Sequence, residues 1–76
     1  MPRLEPDQRL AAVLRDLREE AGLTQETLAA RSGLTGGAYA QIELAHSNPA
    51  WATVRAIAAA LDTSLVELAR RVEAER

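Results

Sequence analysis

The side chains that could take part in catalysis or metal binding are few and widely spaced. Glu19 and Glu20 are paired carboxylates, but adjacent residues on a helix point in different directions, which favours a solvated face over general acid–base chemistry. His46 is the single histidine, and without any Cys it lacks the partners of a zinc site. The sequence has neither a Gly-rich phosphate loop nor a nucleophile with a neighbouring base. We therefore expect no enzyme, no metal and no cofactor.

The composition indicates one small helical domain. The chain has 76 residues, of which 47% are hydrophobic but only 3% aromatic, namely Trp51 and Tyr39. Ala and Leu dominate the apolar residues, and both lose little rotamer freedom in a helix. No apolar stretch approaches the roughly 18 residues of a membrane span, and residues 1–10 lack the core of a signal peptide. We expect a cytoplasmic protein and no membrane partner.

The charge balance gives no general attraction to nucleic acid. Eleven acidic residues stand against nine Arg and no Lys, for a net charge of −2. Any binding to DNA must therefore depend on where individual Arg side chains and backbone dipoles lie.

Start and stop signals divide the chain into five predicted helices. Pro6 suits the first position of a helix, Thr24 and Thr35 are good N-caps, and Gly22 and Gly33 suit the residue that ends one. The predicted segments cover 6–21, 25–32, 36–44, 50–61 and, from a capping box at 64–67, the stretch toward 75. Apolar residues recur at helical spacing within them. The expected inward faces carry Leu10, Val13, Leu14, Leu17, Ala21, Leu28, Ala29, Ile42, Trp51, Val54, Ile57, Ala58, Leu61, Leu65, Leu68 and Val72.

The two short helices on either side of Gly33 have the spacing of a helix-turn-helix. Ala29 is small where the two helices must approach closely, and Ile42 returns to the core. On spacing alone, a DNA-binding motif and a plain helical hairpin fit equally well.

A longer ordered set of residues resembles the phage-repressor/Cro-type helix-turn-helix family, also called the xenobiotic-response-element type. The resemblance covers residues 18–68 and lies in the runs 18–25, 28–29, 33–35, 42–43, 48–49 and 60–65. It implies an all-α, five-helix, repressor-like domain spanning residues 1–76. It also implies a sequence-specific transcriptional regulator that binds double-stranded DNA, as a homodimer on a palindromic operator.

The resemblance also assigns roles to individual residues. Gln25 corresponds to a phosphate-binding glutamine, residues 35–41 to the recognition helix, and Gln41 to a position where an amide can pair with adenine. Arg18 and Glu43 correspond to an internal ion pair. The implied DNA contacts are Thr24, Gln25, Thr35, Gly36, Gly37, Gln41, His46 and Asn48.

The predicted recognition helix departs from the family pattern. Gly36 and Gly37 replace polar base-reading residues, Ala45 replaces a loop glycine, and no Arg occurs from residue 35 to 48. Either the glycines let the helix lie close to DNA, with DNA shape supplying specificity, or base recognition has weakened and Leu44 helps to bind a protein partner. The first interpretation is favoured. Under the second interpretation, the chain is a protein-interaction module on the same helix-turn-helix scaffold.

Two aromatic residues and the last two helices carry the remaining expectations. Tyr39 is expected in the core, with its hydroxyl group reaching the surface. The last two helices hold more apolar side chain than a small core needs, which favours dimerisation. The predicted dimer interface comprises Trp51, Leu65, Leu68 and Val72, with Trp51 in either the core or that interface.

Overall fold

The fold consists of five α-helices, as the sequence predicts. A computed structural model describes residues 5–75, and no strand occurs within that range. The helices are α1 (Gln8–Glu20), α2 (Gln25–Arg31), α3 (Gly36–Glu43), α4 (Trp51–Ala60) and α5 (Leu65–Ala74). None of these helices has the length and apolar character that a membrane crossing requires.

Side-chain caps begin four of the helices. Thr24, Thr35 and Ser64 each accept a hydrogen bond from a backbone N–H three residues later. Asp7 accepts from two N–H groups at the start of α1 and has extended backbone. The expectation that the first helix includes Pro6 is therefore wrong, because Asp7 is the cap and the helix begins after it. The cap position of α4 is Ala50, whose methyl side chain cannot accept a hydrogen bond, so this helix begins without a side-chain cap among the described residues.

A residue with positive φ follows each of the first four helices. Gly22 and Gly33 have φ of 72° and 74°, as expected for residues that end a helix. Ala45 and Asp62 take the same conformation after α3 and α4, with φ of 58° and 54°. A Cβ atom is disfavoured in this region, so Ala45 carries backbone strain that glycine would avoid.

The core lies between all five helices. α2 packs against α3 and α4, while α1 packs against α3 and α5. The buried residues are Ala11, Val13, Leu14, Leu17, Leu28, Ala29, Tyr39, Ile42, Ile57, Ala58 and Leu68. The predicted inward faces supply most of this core. Ala21 is an exception because it is the exposed C-cap of α1.

The environment of Tyr39 differs from its prediction, and that of Trp51 excludes one of its two predicted environments. Tyr39 is fully buried, so the expectation that its hydroxyl reaches the surface is wrong. Trp51 is the first residue of α4 and is 65% exposed, so it does not belong to the core.

Candidate nucleic-acid interface

The α2–turn–α3 unit is built from local signals that the sequence contains. Thr24 caps α2, and Gly33 makes the turn possible with its positive φ. The Leu34 N–H then donates to the Ala29 carbonyl oxygen at 2.8 Å, which closes the end of α2 before Thr35 caps α3. Ala29 is buried where α2 meets α3. The unit thus holds α3 against the core by one face and leaves its other face in solvent.

The outward face of α3 is short of polar groups. Gly37, Ala38, Gln41 and Leu44 are exposed, and Leu44 is 58% exposed. A Cβ atom added at Gly37 would meet nothing within 4 Å in residues 5–75. Because neither its φ nor its packing requires glycine, the fold itself does not explain Gly37.

The neighbouring Gly36 differs from Gly37. A Cβ atom added at Gly36 would lie 3.5 Å from the Glu26 Cγ atom, an ordinary packing distance. Gly36 therefore faces α2, whereas Gly37 faces away from the protein. Only the second glycine keeps the outer surface of the helix open.

Gln41 is oriented by a side chain from the following loop. The His46 ring Nδ1 atom lies 3.2 Å from the Gln41 Oε1 atom, and both residues are exposed. Since an amide oxygen only accepts, the imidazole must donate in this contact. The contact places the two predicted DNA-facing residues side by side and turns the amide oxygen of Gln41 toward the loop.

Gln25 lies at the first position of α2 and is tied to α3. Its Nε2 atom donates to the Glu43 Oε1 atom at 3.1 Å, and the residue is half-buried. One amide hydrogen is used in this bond, and the second stays available as a donor. The contact holds the side chain in one orientation at the start of the helix-turn-helix.

Arg18 and Glu43 join α1 to α3 beneath this surface. The Arg18 Nε atom donates to Glu43 Oε2 at 2.7 Å, and Nη2 donates to Oε1 at 3.1 Å. The Nη1 atom donates to the Leu23 carbonyl oxygen at 2.9 Å, before α2 begins. The Glu43 side chain is 3% exposed and that of Arg18 is 13% exposed, so this pair is shielded from water.

The charges around Glu43 determine its protonation. Burial alone would raise the pKa of the Glu43 carboxyl, but hydrogen bonds, that from Arg18 foremost, outweigh burial and hold its pKa below 4.5.

Tyr39 lies beside the Arg18–Glu43 pair. Its hydroxyl is buried and makes no hydrogen bond of good geometry with residues 5–75. Burial, and then the adjacent Glu43 carboxylate, raise the pKa of Tyr39 well above its usual value of 10.0.

Asn48 binds the beginning of α1. Its Oδ1 atom accepts from the Asp7 N–H at 2.9 Å, and its Nδ2 atom donates to the Glu5 carbonyl oxygen at 3.3 Å. Both ends of the amide are therefore engaged within the protein. The loop after α3 is held to the start of α1 by this side chain.

The order of these elements agrees with a known family. Residues 14–68 match the family model described as helix-turn-helix, HTH_3, whose members are of the Cro/C1 type. The chain belongs to the Cro/C1-type helix-turn-helix family. Membership indicates a DNA-binding transcription regulator, and such regulators are typically not enzymes. Among curated proteins, no match to the chain is found.

Most of the predicted DNA-facing residues lie on α3, at its cap or in the loop that follows it. Thr35, Gly37 and Gln41 lie on α3 or at its cap, and His46 follows it. Thr24 and Gln25 begin the preceding helix. Asn48 belongs to the same loop as His46, but its amide is directed to α1.

A second surface of this helix-turn-helix domain is apolar. A groove of about 250 Å³ runs between α1, α4 and α5. All four predicted interface residues line it together with three further apolar residues and two acidic ones. The full lining is Asp7, Leu10, Trp51, Val54, Leu65, Leu68, Ala69, Val72 and Glu73. Leu68 is only 3% exposed and forms part of the core, whereas Trp51 is largely exposed.

Three contacts of this family member were not predicted from the sequence. They are the Gln41–His46 pair, the attachment of Asn48 to the start of α1, and the Arg71–Glu20 ion pair with Nη2–Oε2 of 2.8 Å between α5 and α1. Two of the three join residues more than 40 positions apart. No local pattern could have indicated these two, since each partner is an ordinary surface residue in its own segment, whereas Gln41 and His46 are only five positions apart.

Proposed function

We propose that the protein is a homodimeric, sequence-specific transcriptional regulator that inserts α3 into the major groove of a palindromic operator. The observation that carries the proposal is the exposed α3 face, held by a capped α2–turn–α3 unit in a chain of the Cro/C1-type family. A helix of this kind fits the major groove and presents its outward side chains to base edges. The bases are read by Thr35 and Gln41 beside the open backbone at Gly37, whereas the predicted contact at Gly36 is limited to its backbone because that position faces Glu26.

Gln25 supplies a phosphate contact in this proposal. Its free amide hydrogen lies at the start of α2, and the bond to Glu43 restrains the side chain before DNA binds. A restrained donor loses less conformational freedom on binding than a mobile one. Thr24 and His46 lie at the edges of the same surface, while Asn48 acts by holding the loop in place.

The apolar groove supports dimerisation. Trp51, Leu65 and Val72 expose apolar surface at the groove between α1, α4 and α5, and Leu68 forms its inner wall. A two-fold dimer through this surface would bury Trp51 against a second copy. Two-fold symmetry of the protein corresponds to a palindromic operator with half-sites one turn, about 34 Å, apart.

Binding at such an operator gives repression when it blocks the transcription machinery. This activity requires access to the chromosome, so a cytoplasmic location is part of the proposal. The proposed unit comprises residues 1–76, with residues 18–68 as its central motif.

DNA affinity should be modest and depend weakly on salt. Residues 35–48 contain no Arg or Lys, and the net charge of the chain is −2. Each phosphate neutralised by a cationic side chain steepens the dependence of affinity on salt, with a logarithmic slope of about −0.9 per contact. Few such contacts are available from α3 and its loop.

The test is selection from a random-sequence DNA duplex pool, followed by titration of the enriched duplex at several salt concentrations. We expect Gln41→Ala to relax the sequence preference while leaving the salt slope unchanged, because it removes a base contact and no phosphate contact. The matched control is Gln8→Ala, an exposed glutamine at the start of α1, which should alter neither. If no duplex is retained even at low salt, DNA binding by this surface is refuted.

Sedimentation tests the dimer separately. We expect a dimer at micromolar concentration in the wild-type protein and a monomer in Trp51→Ala. A wild-type protein that stays monomeric when bound to its selected duplex would exclude the paired-groove arrangement.

The second candidate is a protein-interaction module, favoured by the 58% exposure of Leu44 on a face without cationic side chains. In that case Leu44 and Ala38 would contact an apolar partner surface. Absence of DNA retention at low salt would favour this function over the first.

A further inference from the structure

We propose that the outward face of α3 reads thymine, by combining a hydrogen bond to the thymine O4 atom with apolar contact to its C5-methyl group. This inference rests on the proposed function, since it specifies which base the recognition helix selects. Three features of the α3 surface lead to it.

The first feature is the orientation of Gln41. His46 Nδ1 lies 3.2 Å from the Gln41 Oε1 atom, so the amide oxygen faces the loop and the amide NH2 group faces away from it. Pairing with adenine requires both the amide oxygen, which accepts from N6, and the NH2 group, which donates to N7. The bond from His46 occupies one lone pair of the oxygen and fixes its direction toward the loop, so the NH2 group is the part of the amide left to face a base, and a base that offers an acceptor matches it.

The second feature is the character of the flanking residues. Ala38 and Leu44 lie three positions before and after Gln41, so both are its neighbours on the helix surface, and both are exposed. Thymine is the base whose major-groove edge places an acceptor beside a methyl group. Guanine also offers acceptors, but its usual partners are Arg and Lys, and residues 35–48 contain neither.

The third feature is the open surface at Gly37. The short side chain of Ala38 reaches a base only if the helix backbone lies close to the groove. An added Cβ atom at Gly37 would meet nothing within 4 Å in the described chain, so this position carries no side chain that would hold the helix away. The glycine thereby allows the approach that a methyl contact by Ala38 requires.

The experiment compares thymine with uracil in otherwise identical duplexes. The best duplex from a random-sequence selection is resynthesised with deoxyuridine replacing each thymidine in turn, which removes only the methyl group and keeps O4. We expect at least one replacement in each half-site to weaken binding about fourfold, the effect of losing one buried methyl group. If every replacement changes affinity less than twofold, thymine readout is overturned while DNA binding stands. If no duplex binds at low salt, the proposed function itself is overturned.

Variants then identify the groups responsible. Ala38→Gly should lose the preference for thymidine over deoxyuridine at one position, whereas the control Ala59→Gly, at another exposed alanine on α4, should retain it. Gln41→Ala should weaken binding to both duplexes by the same factor, since both keep O4. An unchanged preference in Ala38→Gly would overturn the methyl contact assigned to that residue.

His46 is a positioning residue in this scheme. A selection repeated with His46→Ala should shift the base preferred opposite Gln41 from thymine toward adenine, because the amide oxygen is released. An identical selected sequence would overturn the orienting role of His46. If His46 only stabilised the loop, His46→Ala would weaken binding to all sequences without changing the preferred base.

Discussion

Arg18 and Glu43 form a two-bonded ion pair that fastens α1 to α3, with an Nε–Oε2 distance of 2.7 Å. Because the Glu43 carboxylate is 3% exposed, removing its partner leaves a charge that water does not reach. Arg18→Met keeps most of the apolar stem, and we expect it to lower the free energy of unfolding by about 3 kcal/mol in urea denaturation. The double variant Arg18→Met/Glu43→Leu should recover part of that loss, since no buried charge remains.

The matched control for this prediction is the Arg70–Glu67 pair on α5, whose side chains are 74% and 41% exposed. Arg70→Ala should change the free energy of unfolding by no more than about 0.5 kcal/mol, because surface pairs are screened by water. Equal effects of Arg18→Met and Arg70→Ala would contradict the structural role of the shielded pair.

Acid should destabilise the protein through Glu43. Its pKa in the folded chain is below the ordinary 4.5, because hydrogen bonds from Arg18 and Gln25 outweigh the effect of burial. A lowered folded-state pKa adds stability above the unfolded-state pKa, and this stability is lost as the pH falls below about 4.5. Urea denaturation should therefore show a larger loss of stability on acidification in the wild-type protein than in Glu43→Gln. The same loss in both proteins would assign acid sensitivity to other carboxylates, among them Glu20, whose pKa is lowered by Arg71.

Alkaline pH should destabilise the protein through Tyr39, its single tyrosine. Burial raises the pKa of its hydroxyl, so the unfolded chain releases this proton at lower pH than the folded chain. Stability must then fall as the pH rises above about 10, the ordinary tyrosine value. We expect the absorbance change of tyrosinate to coincide with the loss of helical circular dichroism. Ionisation of Tyr39 while the helices remain intact would contradict its burial.

Ala45→Gly should stabilise the protein. Ala45 follows α3 with φ of 58°, where the Cβ atom of an L-residue is disfavoured. The gain should be about 0.5–1 kcal/mol in urea denaturation, because the greater freedom of glycine in the unfolded chain offsets part of the relieved strain. The reverse substitution Gly33→Ala, at φ of 74°, should destabilise by a similar amount. A loss of stability in Ala45→Gly would show that the strain is compensated elsewhere in the loop.

Gly37→Ala should separate stability from DNA binding. The added methyl group meets nothing within 4 Å in residues 5–75, so α3 should gain about 0.5 kcal/mol of stability. Affinity for the selected duplex should fall roughly tenfold, since a methyl group would hold the helix away from the groove. Gly36→Ala is the control, because its methyl group would face Glu26 within the protein. Unchanged affinity in Gly37→Ala would contradict the close approach.

The order and approximate bounds of the five helices could be predicted from the sequence, because their signals are local. Thr24, Thr35 and Ser64 cap helices within three residues of themselves, and Gly22 and Gly33 end helices at their own positions. The same signals, read in order, identify the helix-turn-helix and most of its core.

Which side of each helix is covered depended on packing between distant segments. Trp51 continues the apolar stripe of α4 in sequence, yet it is 65% exposed at the groove between α1, α4 and α5, whereas Val54 on the same stripe is partly buried against the core. Tyr39 is buried together with its hydroxyl, although a tyrosine at this spacing is equally compatible with an exposed hydroxyl.

The tertiary structure also decided how the predicted DNA-facing residues are oriented. Asn48 bonds to Asp7 across 41 positions, and Gln25 bonds to Glu43 across 18, so both amides are held by partners that no local pattern reveals. Residue type and spacing determined that Gln41 would lie on the outward face of α3. Only the folded loop decided that His46 would lie 3.2 Å from the amide oxygen of Gln41.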